Sequence, residues 1–368
     1  MHIRLSFVSA AILGAALLGA CAQLPERIEG AANGPRYAVD ATWPKPLPNN
    51  WILGQVAGIA TDREDNIWLV HRPLTLTEDE RGATLTPPRS RCCVAAPPVL
   101  QFDRAGNLLR AWGGNGTGYD WPANEHGIHV DPRGDVWIGG NANTDHMLLK
   151  FTPQGKFVLQ IGKPGKSLGS NAPDQLGRPA HMEFDAATNE LYVADGYGNR
   201  RVIVFDASSG AYKRHWGAYG NRPDDAKLPD FNPESPQFAN PVHCVRLARD
   251  GLVYVCDRMN NRVQVFRKNG EYVRQFVFDP ATRGSGSAWD LVLSEDAAQR
   301  YMLIADGTNN EVRIVVRESG ELLGSFGRPG RQAGDFHWVH NIAIDSLGNV
   351  YTSEVDTGKR AQRFRRVQ

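Results

Sequence analysis

Residues 191–217 read LYVADGYGNRRVIVFDASSGAYKRHWG, and residues 253–277 read VYVCDRMNNRVQVFRKNGEYVRQFV. Both alternate apolar and polar residues with period two, broken by short clusters of Gly, Asn, Ser and Asp. That is the pattern of consecutive antiparallel strands joined by tight turns. A further strand precedes each, opening at His181 (HMEFDAATNE) and at His243 (HCVRLARDG). Units with the same opening recur at Gly58, Gly127, Asp290 and Asn341. Six units of four strands predict an all-β fold, a six-bladed β-propeller. The last unit shows only three strands before Gln368, so the segment from Tyr37 to Trp43 is expected to supply its outer strand and close the ring. One propeller over residues 37–368 then replaces the two or three domains that 368 residues would permit.

Ahead of the propeller, His2 and Arg4 precede an apolar, small-residue stretch from Leu5 to Ala20. It is short for a bilayer span and suits the h-region of an export signal. It ends in Leu18-Gly19-Ala20-Cys21, which resembles the bacterial lipobox. Residues 1–20 are therefore expected to be a signal peptide, Cys21 to carry a lipid, and residues 21–36 to tether the domain to a membrane on the periplasmic side. An ordinary signal cleaved near Ala20 or Ala22 is the alternative.

The 41 Lys and Arg against 40 Asp and Glu give a formal charge of +1. With no run of like charge, the chain lacks the basic face that nucleic-acid binding requires, and no nucleic acid is expected as a partner. The 38 Gly and 23 Pro mark a turn-rich chain rather than a low-complexity one. Four Cys follow Cys21. Cys244 and Cys256 flank the turn at Arg249-Asp250-Gly251 and fall opposite each other if residue 248 pairs with residue 252, as a cross-strand disulfide or as two buried thiols. Cys92 and Cys93 are adjacent, and their connectivity stays open.

Counting back from the first turn of each unit isolates three histidines. His126 lies eight residues before Gly134, His243 eight before Gly251, and His340 eight before Gly348. The first strand of a blade lines the central channel, so equivalent positions in units two, four and six sit about 120° apart around the axis. Three neutral imidazoles with an open fourth position form the ligand set of a catalytic zinc site. His181 falls in the same frame in unit three and is expected beside this site, as a neighbour of the ligands or a substrate contact.

The ends of second strands return to the same face. They carry His71-Arg72 in unit one, Asp195-Gly196-Tyr197 in unit three and Asp257-Arg258 in unit four. A phenol able to lose its proton beside a dication, with guanidiniums suited to a carboxylate, points to an anionic substrate. The 26-residue stretch from Pro73 to Pro98, too long for a hairpin, reads as a lid or pocket wall on that face.

The Asp195-Gly-Tyr-Gly-Asn-Arg and Asp257-Arg-Met-Asn-Asn-Arg corners, with Trp112-Gly113, Trp216-Gly217 and Phe326-Gly327 closing strands, resemble NHL repeats. More specifically, Gly54-Gln55-Val56-Ala57-Gly58, Trp68-Leu69-Val70-His71-Arg72, His126-Gly127, Asp195-Gly196-Tyr197, Pro241-Val242-His243 with Asp257-Arg258, and Val339-His340 resemble the peptidyl-α-hydroxyglycine α-amidating lyase family. The resemblance implies zinc on His126, His243 and His340, Tyr197 as base, and Arg72 and Arg258 in the active site. It also implies a structural calcium held by the main chain of Ile59 and Ile128 and by the residue after the third His. Here that residue is Asn341, which brings an amide oxygen and no charge. The implied reaction splits an N-acyl- or peptidyl-α-hydroxyglycine, a small molecule or peptide bearing a carboxylate, into a primary amide and glyoxylate. The family's Cys after the Tyr is Gly198 here, so that disulfide is absent. A propeller hydrolase of lactonase type and a non-catalytic NHL binding module remain as alternatives from other classes.

Overall fold

The computed structural model describes residues 27–367. The expected signal peptide, Cys21 and the start of the tether lie outside the described residues. Six antiparallel sheets form a closed ring. In each blade the first strand is innermost: Gln55–Thr61, Glu125–Val130, His181–Asp185, Val242–Leu247, Asp290–Leu293 and Val339–Ile344. The fold is the six-bladed β-propeller read from the repeats.

Hairpins between first and second strands are set by Asx turns. Asp131 accepts from the backbone N–H of Arg133 and Asp135, and Asp345 accepts in the same way from Leu347 and Asn349. A carboxylate that satisfies loop amides fixes the turn and with it the register. Second strands such as Ile67–Arg72 and Glu190–Asp195 are buried along their whole length, because a neighbouring blade covers each face. Outermost strands such as Leu108–Trp112 are partly exposed. The apolar side chains pool between blades, as where Trp68 and Val70 of the first meet Ile128 and Val136 of the second. Trp112, at the end of the first blade, stacks edge-on to Trp68 and lies under Gly155 of the next blade. Gly155 has φ +79°, and a Cβ there would come within 2.8 Å of the indole.

The sixth blade holds the ring closure. Arg36–Asp40 pairs with Arg360–Arg366 as the expected outer strand, and Ile28–Gly30 adds a fifth strand outside it. This corrects the tether: residues 28–30 belong to a sheet, so the blade begins ahead of residue 37. Glu29 and Asp335 both take Arg27, which fastens this strand to the rim. Cys244 and Cys256 face each other across the ladder with Cα atoms 4.8 Å apart and are joined as a disulfide. Cys92 and Cys93 are bonded to each other.

Candidate metal centre

The three histidines of the common frame meet in the channel. His126, His243 and His340 each offer a ring nitrogen within 4.8 Å of the other two, and all are buried. Their positions depend on β-bulges. In the second blade Glu125 pairs with Gly140 and Ile128 with Ile138, so His126 and Gly127 together oppose Gly139. In the fourth, Val242 pairs with Asp257 and Cys244 with Cys256, leaving His243 as the extra residue. In the sixth, Val339 pairs with Glu354 and Ile342 with Thr352 around His340 and Asn341. A bulge re-aims the side chain it carries, and here three bulges turn three imidazoles toward one axis.

Each ring is then locked by its other nitrogen. His126 Nδ1 donates to the carbonyl of Ala180 at 2.8 Å, His243 Nδ1 to Trp289 at 2.6 Å, and His340 Nδ1 to Ala57 at 2.8 Å. A carbonyl only accepts, so Nδ1 carries the proton in all three, and the Nε2 lone pairs face inward. This carbonyl–imidazole arrangement is what orients histidine ligands around a metal. Burial, with the facing guanidiniums of Arg72 and Arg258, keeps the rings neutral, and His340 is pushed down to about 3. The donor set fits a zinc ion.

His181 does not join them. Its strand pairs regularly, His181 opposite Ala194, so the same count from the turn leaves the side chain aimed elsewhere. Its Nδ1 lies 3.0 Å from the carbonyl of Val245, deeper in the channel. The expectation that it stands beside the metal ligands is corrected by the missing bulge. His71 is also structural: it accepts from Gly54 N–H and donates to Pro97 O, stitching the first blade to the insertion.

Tyr197 reaches the centre from the third blade. Its Oη is 2.9 Å from His126 Nε2 and 3.2 Å from His243 Nε2. Arg258 Nη1 lies 3.5 Å from the same oxygen, and its guanidinium stacks 4.4 Å over the Trp289 ring. Arg258 Nε is buried without a hydrogen-bond partner. Arg72 instead has an acceptor on each of its three nitrogens: Nε donates to Glu125 O at 2.7 Å, Nη1 to Gln55 Oε1 at 2.8 Å and Nη2 to Asn141 Oδ1 at 3.4 Å. Both arginines line the same cavity as Tyr197.

Tyr197 and Arg258 ride on matching corners. Asp195 accepts from Arg201 Nε, Asn199 Nδ2 and Gly177 N–H, and Asp257 accepts from Arg262 Nε, Asn260 Nδ2 and Ala239 N–H. Both ion pairs are fully buried, and their remaining guanidinium donors reach backbone carbonyls and one phenol. Such a pair persists in low dielectric only when its donors and acceptors are satisfied, as here. Gly196 belongs to the same corner, since a Cβ there would sit 2.0 Å from Val242 O, beside His243.

These groups open into a cavity of about 360 Å³ that also exposes Gln55, Asn141, Trp289 and Trp338. None of its lining residues comes from the stretch 73–98, which therefore is not the wall expected from its length. The insertion braces the site from behind, where Thr75 Oγ1 accepts from Gln55 N–H. Trp289 and Trp338 escaped the sequence reading, although each immediately precedes the first strand of its blade. Trp338 takes a φ of 55°, unusual for a large side chain. A larger groove of about 580 Å³, on the outside of the ring beside Arg274, Arg300 and Arg317, contains none of these groups.

The NHL repeat family model matches residues 242–266, the hairpin that carries His243 and Arg258. Mouse NHL repeat-containing protein 3 is 26% identical over 90% of this chain and 84% of its own. Fruit-fly peptidyl-alpha-hydroxyglycine alpha-amidating lyase 2 is 27% identical over 90% of this chain and 76% of its own. The resemblance to amidating lyases holds along the chain. Frog peptidyl-glycine alpha-amidating monooxygenase B is 24% identical over 86% of this chain, which spans only 34% of that protein. A streptogramin B lyase structure superposes with a TM-score of 0.51 at 12% identity, over 90% of this chain and 98% of that one, and speaks to the propeller fold alone.

Proposed function

We propose that the protein is a zinc-dependent lyase that cleaves an N-acyl- or peptidyl-α-hydroxyglycine to a primary amide and glyoxylate. The observation that carries this reading is the convergence of three carbonyl-locked imidazoles on one point of the channel, with the Tyr197 oxygen set against two of them. The named lyase among its relatives supports it.

Zinc on His126, His243 and His340 would supply a Lewis acid for an oxygen of the substrate. Arg258, with donors unspent and a planar group fixed against Trp289, binds the substrate carboxylate. Arg72, pinned by three acceptors, contributes charge in a fixed place and steadies the oxyanion that forms. Tyr197 as phenolate takes the proton of the α-hydroxyl. The O–H electron pair becomes the carbonyl bond of glyoxylate, the C–N bond breaks, and the proton passes to the amide nitrogen. The reaction is an elimination that consumes no water and no oxidant.

Export and lipid attachment through Cys21 belong to the same proposal. The Cys244–Cys256 disulfide suits an oxidising compartment. The deciding experiment measures glyoxylate released from α-hydroxyhippurate by purified, zinc-loaded protein. Release above a His243→Ala control is expected, and equal release by both would overturn the lyase reading. Zinc binding without turnover would favour a non-catalytic propeller, the reading that the mouse relative's name leaves open.

A further inference from the structure

Below the histidines, at the level of Ile59, Ile128 and Ile342, the channel holds a second polar layer. These three residues stand two positions beyond Ala57, His126 and His340 on their strands. This is the level at which the resemblance implies calcium. Arg246, three residues beyond His243, extends into it. Its Nη2 donates to Ile342 O at 2.9 Å and to Asp290 Oδ2 at 2.8 Å, its Nε reaches Asp290 Oδ1 at 3.2 Å, and its Nη1 reaches Glu183 Oε2 at 3.4 Å. Asp290 is fully buried and also accepts from Asn341 Nδ2 and Ile342 N–H.

A calcium ion fits poorly among these groups. Calcium takes six to eight oxygens and draws much of its affinity from carboxylates. Here Asn341 turns its NH2 toward Asp290, and both carboxylates of the layer, Asp290 and Glu183, are already engaged by the Arg246 guanidinium. Asn341 Oδ1, buried without a hydrogen-bond partner, is the one side-chain oxygen of the layer left for a further cation. The layer is otherwise balanced: Arg246 against Asp290, with burial pushing Glu183 up to about 7 and holding His129 and His181 neutral. A dication beside Arg246 would add like charge in low dielectric.

We infer that the Arg246 guanidinium takes the place of calcium in this protein, cross-linking the first strands of the third, fourth, fifth and sixth blades as a cation the chain carries itself. The inference does not depend on the reaction at the histidines.

The test compares thermal unfolding of apoprotein reloaded with one equivalent of zinc, with and without 1 mM calcium chloride, and measures calcium retained after gel filtration. Wild type should hold no calcium and show no shift in Tm. Arg246→Met combined with Asn341→Asp frees Asp290 and adds a carboxylate, so calcium should then raise Tm by about 3 °C or more. Asn341→Asp alone, with Arg246 in place, should stay calcium-insensitive. Stoichiometric calcium in wild type, or a calcium-dependent Tm there, would overturn the inference even if the double variant failed to fold.

Discussion

The phenol oxygen of Tyr197 lies 2.9 Å from Nε2 of His126. Since His126 Nδ1 donates to Ala180 O, Nε2 has only a lone pair to offer, and Tyr197 donates its proton there. The tyrosine thus shares the nitrogens a metal would take and stands where a base must stand. Tyr197→Phe should lower kcat for α-hydroxyhippurate by about 10²- to 10⁴-fold, the range for a positioned acid or base. KM and zinc content should stay near wild type. A loss confined to KM would mean that the phenol only binds substrate.

On the proposed zinc site, His243→Ala would remove one of three ligands and leave the carbonyl of Trp289 without its donor. Even outer partners of metal ligands cost about 10- to 100-fold in affinity or activity. Elemental analysis should find about one zinc per wild-type chain and little in the variant, with lyase activity falling in proportion to the metal.

Arg258 and Arg72 should separate in kinetics. A lost hydrogen bond to a charged group is worth about 1.5–3 kcal/mol, so Arg258→Ala should raise KM by about 10- to 100-fold. Arg258→Lys should recover little, because an ammonium cannot stack on Trp289 as the guanidinium does. Arg72→Ala should instead act mainly on kcat, as each of its nitrogens is held by Glu125, Gln55 or Asn141. Equal KM effects from both would remove this division of labour.

The Cys244–Cys256 bridge closes a loop with a sequence separation of 12. Chain-entropy arguments assign such a loop about 3 kcal/mol. The double Ser variant should unfold at lower denaturant with an unchanged zinc content, because His243 is held by the bulge and by Trp289 rather than by the sulfur. Denaturant melts of oxidised and variant protein provide the measurement.

Glu183 provides a pH signature. Burial and the nearby Asp290 push its carboxyl up to about 7, against the pull of Arg246, with His129 3.7 Å away and His181 two residues before it. Between the ordinary 4.5 and about 7, the folded chain keeps a proton that the unfolded chain releases. Stability from this group is therefore present below 4.5 and lost as pH rises through 7, at up to about 1.4 kcal/mol per pH unit. Glu183→Gln should flatten that slope in denaturant melts, and an unchanged slope would assign it to another group.

Much of this molecule was readable because its repeat is written in side chains with strong local rules. Alternation, Asx turns and the Asp–Arg corners announce four-stranded blades, and an equal count from the turn found the three histidines. The same count misplaced His181, because a count along one strand cannot see whether its partner is bulged. Arg72 and Arg258 looked equivalent as letters, and only their acceptors distinguish them. The strand at Ile28–Gly30 is three residues long and carries a glycine, too little for periodicity to register. Trp289 and Trp338 became part of the cavity through the curvature of the ring, which brings together residues from blades five and six.

The buried Asp195–Arg201 and Asp257–Arg262 pairs, with Asn199 and Asn260, hold the two corners without drawing on the side chains of Tyr197 and Arg258. The fifth blade has a like clamp in Asp306 and Arg313, yet its corner carries Thr308, whose hydroxyl donates to Gly286 O. One mounting thus holds a phenol in one blade, a guanidinium in the next and an inert hydroxyl in a third. Chemistry on this ring can be acquired, exchanged or discarded one corner at a time, at little thermodynamic risk to the wheel that carries it.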